Sequence, residues 1–479
     1  MTTLPRYHYQ TKIPAEITTP DQVSTRIGQL DYFDGIPTAE TAAKLFDHLD
    51  FLRGVEAFLS GVPGASLVAI RRALRASGAT GNCMAIFETL MDSRSIFLTA
   101  NTETIYCWNW MDLKDGPVVV ETPPNVLGVV DDFWFRYVTD IGNAGPDRGK
   151  GGKYLFLPPG YQGEVPEGYF VFRPATFGNL LFLRGFMQHG DSGPGVASVK
   201  AGVRIYQLTD AANPPRTSFV NLSGKDMNTV HANDIHFFKE LNEIIQEEPV
   251  EAYGPEAMGI FAAIGLRKGT PFAPDARMTA ILTDAVAVGN ATARAIDFRN
   301  RDPESLIYPD RQWHTPFIGG SYEWLTDGWR NYDARTMFFY AATIDTPAMA
   351  MKMVGIGSQY ASANIDADGE PFDGAKTYRL HVPADVPAKD FWSVVLYDPQ
   401  TRSMLQTDQQ FPSFSSQINP VINADGSVDV WFAPERPEGG ANWVQSVPGK
   451  SWFTIFRLYG PLEPWFDQSW KLPDIERIG

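Results

Sequence analysis

The feature that most constrains this chain is a change of texture near Phe97. Over 40–59, apolar residues fall at Leu45, Phe46, Leu49, Leu52, Val55, Phe58 and Leu59, the three-and-four spacing of one helical stripe. Beyond Phe97 come short β-branched or aromatic runs at 118–120, 133–138, 154–157, 169–172, 180–183 and 203–208, with Gly, Pro and Asp clusters between them. Closely spaced strands punctuated by turn residues predict an antiparallel sandwich or barrel rather than a parallel sheet.

The helical stripe is expected to stop at Gly61, Pro63 and Gly64, with a second short helix over 66–75 capped by Ser66. Helical spacing returns at Ile235, Phe238, Leu241, Ile244 and Ile245. It returns again after Pro274, where Met278, Ile281, Leu282, Ala285 and Val288 share a face. Strand texture resumes at 378–382, 392–397, 428–432 and 453–458, with turn signals at Asp368, Gly369 and from Asn423 to Gly426. The fold class is therefore α+β and β-rich, with two antiparallel sandwich or jelly-roll-like modules. The expected division is an N-terminal helical segment (1–98), a β module (99–224), a helical insertion with an aromatic bridge (225–335) and a second β module (336–479).

Charge narrows the partners. Against 56 Asp and Glu stand 40 Lys and Arg, a formal charge of −16 with no basic stripe. Nucleic acid and anionic membrane are poor partners for such a surface. No apolar run reaches the roughly 18 residues a membrane helix needs, so no membrane insertion is expected. Cys83 and Cys107 are the only cysteines, and two buried thiols are the simpler reading. Met1 to Gln10 lacks a leader pattern, so the location expected is cytoplasmic, or periplasmic or secreted if a leader has been removed.

Several chemistries lack their signatures. No P-loop, no dinucleotide-binding glycine fingerprint, no His-Glu-x-x-His and no Cys-x-x-Cys occurs, and the sequence offers no cofactor. His231 and His236, with Asp234 between them, are five apart; on a helix their rings point about 140° away from each other, so no metal is assigned. Asn233 or Asp234 as a helix cap explains that polarity instead.

The residues best suited to chemistry lie at the texture change. Asn101, Glu103 and Tyr106 bring an amide, a carboxylate and a phenol beside Trp108 and Trp110. Arg136, Asp140 and Arg184 belong to later strands of the same module. One reading makes this a buried ionic network that fixes sheet register. The other makes Glu103 a general acid or base, with Asp140 beside it, Arg136 or Arg184 anchoring an anionic or carbonyl group, and the indoles forming a wall. A second aromatic group with His314 and Arg330 lies in the bridge between modules. Interdomain packing is its ordinary role, and a ligand-binding cleft is the alternative.

Thr99, Ala100, Asn101, Thr102, Glu103, Thr104, Ile105 and Tyr106, followed by Trp108 and Trp110, resemble the signature of the bacterial DUF1254 domain. Phe135, Arg136, Tyr137, Asp140 and the glycine-rich stretch from Gly145 to Gly152 extend the likeness. Tyr360, Asn364, Asp366, Phe391, Trp392, Tyr397, Asn442, Trp443, Arg457 and Tyr459 resemble the companion DUF1214 domain. The resemblance implies a β-rich N-terminal module and a jelly-roll-like C-terminal one. It implies no reaction and no catalytic residue. Many relatives begin with a secretion signal, and many read Asn-Asn-Asp-Thr where this chain has Asn101, Thr102, Glu103 and Thr104.

The expectation is a small-molecule enzyme without organic cofactor, of hydrolase or lyase type. Its rivals are a ligand-binding or assembly protein without turnover, and a metal-dependent enzyme with His and carboxylate ligands. The aromatic load and β edges also predict a homo-oligomer.

Overall fold

The computed structural model describes residues 8–9 and 11–478. The leaderless reading of the first ten residues therefore falls, apart from His8 and Tyr9, outside the described residues. The helices that matter for the site are α1 (Ala39–Ala76), α2 (Gly193–Gly202), α3 (His236–Glu247), α4 (Pro255–Ala263), α5 (Ala276–Phe298), α6 (Tyr332–Ala341) and α7 (Pro347–Ala350).

Helix α1 is one continuous helix of 38 residues, started by Thr38, whose hydroxyl accepts from the Thr41 N–H. The expected stop does not occur, and Ser66 lies mid-helix rather than capping anything. Packing explains this. A Cβ on Gly61 would lie 2.9 Å from Leu241 Cδ2, and one on Gly64 would lie 2.9 Å from Trp134 Cζ3. The glycines are contact points for neighbours, not breaks, and the burial they permit outweighs their low helix propensity. The first half of the stripe is instead solvent-facing: Phe46, Leu49 and Leu52 are exposed. In α5, capped by Asp275, the buried face runs through Leu282, Ala285, Val286, Gly289 and Ala293. Val288, expected on that face, is exposed.

The N-terminal module holds a six-stranded sheet, in the order Ser218–Asn221, Cys83–Ile86, Thr104–Asp112, Gly178–Phe186, Leu127–Asp132, Tyr137–Gly142. Against it packs a four-stranded sheet of Phe170–Phe172, Gly152–Phe156, Val118–Thr122 and Arg204–Gln207. Pairing is mostly antiparallel, but Ser218–Asn221 with Cys83–Ile86, and Gly152–Phe156 with Phe170–Phe172, run parallel. The run at 133–138 is not a strand. Residues 133–136 turn between two strands, with Phe135 at φ 53° and the Asp132 carboxylate accepting from the N–H groups of Trp134 and Arg136.

The C-terminal module closes two further four-stranded sheets on one core. The first contains Ser358–Ala363, Phe453–Pro461, Ala388–Tyr397 and Ser413–Ser415, and the second is built on Thr377–Val382 and Val428–Ala433. No described sheet closes into a barrel, and the class is mixed α+β, rich in strands.

What positions the site is that the main strands of both modules are buried on both faces. In Thr104–Asp112, Ile105 and Cys107 point into the inter-sheet core, while Tyr106, Trp108 and Trp110 point the other way. In Phe453–Pro461, Phe456 and Leu458 fill the sandwich, while Phe453 and Ile455 point outward. Those second faces meet, with α1, α3, α5 and α6, in one central core that joins the modules. Gly64→Val would drive a branched side chain into Trp134, so we expect it to cost about 1–3 kcal/mol. Thermal melts of the variant check this; an unchanged melting temperature would refute the close-contact role of that glycine.

Candidate functional site

Each module contributes one charged residue to an otherwise apolar buried strand. Arg184 lies in Gly178–Phe186, opposite Tyr106 of the neighbouring strand. Arg457 lies in Phe453–Pro461, opposite Tyr360. The Arg184 guanidinium carbon lies 5.8 Å from the Tyr106 ring centre and 5.5 Å from that of Phe182. Arg457 lies 5.9 Å from Tyr360 and 5.6 Å from Tyr397. Its Nη2 donates to the Thr99 carbonyl at 2.7 Å, and its Nη1, buried, has no partner. Neither arginine is ion-paired among the described residues. Burial works against the Arg457 charge, but Tyr397, Tyr459 and Glu103 outweigh it and hold its pKa above the ordinary value.

Both arginines line a cavity of about 80 Å³ where the modules meet. Its walls are mainly apolar, with aromatic rings from Phe97, Phe182, Phe317, Phe338 and Phe453. The helical bridge adds Asp297, at the end of α5, and His314. The Asp297 Oδ2 is shut off from solvent without a hydrogen-bond partner, and burial pushes its carboxyl up to about 7, against the pull of Arg402 and Arg294. His314 Nδ1 is 3.1 Å from the Ser305 hydroxyl, and burial lowers its pKa, which favours the neutral ring at pH 7.

Two β-branched residues on the cavity wall have left-handed backbones: Thr99 at φ 44° and Ile344 at φ 70°. Such residues avoid that region, and strain of this kind persists only where the surroundings impose it. Thr99 is held on both sides, its N–H donating to the Arg402 carbonyl and its carbonyl accepting from Arg457. Beside Ile344, the Asp345 N–H donates to the buried Asp131 carboxylate at 3.1 Å.

The structure redistributes the residues singled out from the sequence. Arg184, Tyr106, Asn101 and His314 line the cavity. Asn101 also builds the turn before the strand, its Oδ1 accepting from the Glu103 and Thr104 N–H groups. Glu103 is buried but lies off the cavity wall. It accepts from the Thr102 hydroxyl and N–H and from the Tyr459 hydroxyl. Arg136 is not its partner. Arg136 is half-exposed and pairs with Asp132 at 2.6 Å, because the tight turn at 133–136 folds it back on that carboxylate.

Asp140 accepts from the Thr346 hydroxyl, and burial raises its pKa to about 6; it borders a smaller adjoining space that also touches Arg184. Trp108 packs in the core against Phe87, Phe97 and Phe182, and Trp110 packs against Phe133, so neither indole walls the cavity. Arg330 is at the surface and donates to the Glu323 carbonyl. His231, buried ahead of α3, contacts the Ala232 carbonyl, whereas His236 is exposed and pairs with Asp234. Among the described residues, no group of three or more His, Cys, Asp or Glu side chains is placed to hold a metal ion. Nor is any described helix long and apolar enough to cross a membrane.

Sequence reasoning gave no role to Arg457 or Asp297. Arg457 had a visible signal, a lone arginine inside a nine-residue strand that is otherwise uncharged and wholly buried. Asp297 had none, because its environment comes from elements far apart in the chain.

Residues 81–207 match the family model DUF1254, and residues 357–463 match DUF1214; both are described as proteins of unknown function. The chain thus carries a DUF1254 segment followed by a DUF1214 segment. The VPA0106 protein from Vibrio parahaemolyticus has a similar fold in its crystal structure. The likeness covers 90% of this chain and 100% of that one, at 16% identity and a TM-score of 0.56. An uncharacterized protein from Burkholderia cenocepacia aligns at 13% identity over 92% of this chain and 97% of its own, with a TM-score of 0.41. No curated protein matches the chain.

The raised carboxyls give the protein a signed pH dependence. An unfolded aspartate titrates near its ordinary value of about 3.9, whereas folded Asp297 holds its proton to about 7. Between those values the native state binds the extra proton, so stability falls as pH rises. We expect the melting temperature to drop between pH 5 and pH 8, and Asp297→Asn to drop less. Equal slopes for both proteins would refute the burial of an uncompensated carboxyl at this position.

Proposed function

We propose that the interdomain cavity binds a small molecule with an apolar body and an anionic group, and that the protein acts on it as an enzyme. The observation that carries this reading is the pair of buried guanidiniums, Arg184 and Arg457, which face one cavity without an ion-paired carboxylate. A buried cation is costly unless something compensates it, and a bound anion would do so here. The nearby Glu103 carboxylate and the partly ionised Asp297 offset only part of the charge of the two arginines, which suits a ligand of single negative charge.

The role first considered for Glu103 passes to Asp297. A carboxyl titrating near neutrality in an aromatic cavity can give or take a proton at working pH. Neutral His314, oriented by Ser305, is the second proton-handling group of the same cavity. Arginine anchoring, an aromatic wall and a poised carboxyl support hydrolase or lyase chemistry, in which the anchored anion orients the bond to be broken. Binding without turnover is the rival.

Incubation of the protein with a metabolite pool, followed by mass spectrometry, tests the reading. Depletion of an apolar monoanion with appearance of a product supports it; retention of an unchanged ligand leaves binding alone. Arg457→Gln removes one partner of a desolvated charge pair, a loss of at least about 2 kcal/mol, so affinity should weaken roughly 30-fold or more. Asp297→Asn should reduce turnover about 100-fold with little change in affinity. Glu103→Gln should lower the melting temperature and leave turnover per folded molecule largely intact. A stable but inactive Glu103→Gln protein would return the proton-transfer role to Glu103.

A further inference from the structure

The cavity is not isolated. A wide surface cleft of about 620 Å³ lies between the modules, and a neck of only about 20 Å³ lies between that cleft and the chamber of about 80 Å³. The three share walls in sequence. Cleft and neck share Leu127, Gly357 and Ser358, and neck and chamber share Phe182, Ile344 and Met349. Arg184 borders all three. We infer that the neck is the route by which a slender monoanion reaches the buried chamber, and that Arg184 is its selectivity residue. The inference rests on the reading of the chamber as a ligand site and adds how the ligand enters and which charge is admitted.

Charge along the route agrees. The cleft carries Arg148 and Lys389, both exposed, together with Arg184, against one carboxylate, Asp390. The neck carries one carboxyl, Asp140, hydrogen-bonded by the Thr346 hydroxyl and opposed on the same wall by Arg184. On a chain of net charge −16, a cleft with cations in excess stands out from its surroundings. An anion is drawn to the cleft and passes from Arg148 and Lys389 to Arg184, then to Arg457. Each step exchanges one cation for the next, so the charge is never left without a partner. A cation meets Arg184 in the cleft, the neck and the chamber.

Side-chain mobility at the narrowest point supports passage. Met349 lines both neck and chamber; it is unbranched, half-buried and able to change rotamer without backbone movement. Ile344, on the same wall, begins the segment held by Asp131 and Asp140 through Asp345 and Thr346. The neck thus combines a backbone segment held in place with one adaptable thioether.

The test needs no knowledge of the natural ligand. In a Cys83→Ser background, in which the remaining Cys107 is buried and its thiol strongly disfavours ionisation, Met349→Cys places one thiol at the neck. Modification is timed with the anionic 2-sulfonatoethyl methanethiosulfonate and the cationic 2-(trimethylammonio)ethyl methanethiosulfonate. The anionic reagent is expected to react at least tenfold faster, and Lys389→Glu to shrink that ratio severalfold, more at low salt than at high. No modification, equal rates, or a ratio unaffected by Lys389→Glu would overturn the route. If Met349→Cys fails to fold, Ser358→Cys on the cleft side of the same neck serves with the same expectations. The ligand-site reading is judged separately with 4-phenylbutyrate, which should slow modification in the Arg457 protein and not in the Arg457→Gln variant. A charge-selective neck with no such protection would keep the route and refute the chamber as a site for this class of anion.

Discussion

Two guanidinium groups held in a nearly dry contact between sheets are the constraint on which the rest of the site depends. Arginine cannot shed its proton to escape burial, so Arg184 and Arg457 must be stabilised as cations where they lie. The fold does this with aromatic faces, a carbonyl and a nearby carboxylate that is not hydrogen-bonded to either, instead of direct ion pairs. Cation–π contacts of this kind contribute about 2 kcal/mol or more when desolvated. They leave hydrogen-bonding capacity unused, as the unpartnered Arg457 Nη1 shows. A structural ion pair would have used that capacity.

The surrounding architecture follows from keeping both arginines in place. Each stands opposite a tyrosine on the next strand, so the sheet ladders fix the ring over which each guanidinium lies. The strained backbones of Thr99 and Ile344 belong to the same arrangement. Thr99 turns its carbonyl to Arg457, and the segment after Ile344 ties the bridge to the N-terminal sheet through Asp131 and Asp140. Strain of roughly 1–3 kcal/mol at such positions is tolerated only if the packed elements around them do not yield. The continuous core shared by both modules and α1 provides that rigidity.

Asp297 and Arg402 extend the pattern. Each is buried enough to have its charged form disfavoured, and each keeps one polar atom without a partner, Oδ2 in one and Nη2 in the other. Together with Arg457, they put three partnerless polar atoms at or beside the cavity. Such atoms are costly in a purely structural interface, and here a guanidinium and a carboxyl bring them to one cavity, which is the physical reason for reading this contact as a site.

Much of the fold was legible in local sequence. Short β-branched and aromatic runs marked most strands, three-and-four spacing marked α3, and Pro274 marked the start of α5, because these signals act over one element. Arg184, Tyr106 and His314 were legible as unusual residues in their segments. Residues 61–64 were not read correctly, since whether Gly61, Pro63 and Gly64 break a helix or receive a neighbour depends on Leu241 and Trp134, which the local sequence does not contain. The partner of Arg136 was not legible, because the turn at 133–136 that folds it onto Asp132 reads locally as one aromatic strand run. The sequence by itself determined the α+β class, the two-module organisation and the presence of lone arginines in apolar strands. Only the tertiary structure decided which faces meet, and with them the cavity, the partnerless Arg457 and the raised pKa of Asp297. Those properties arise from desolvation by residues hundreds of positions away, and no local pattern encodes them.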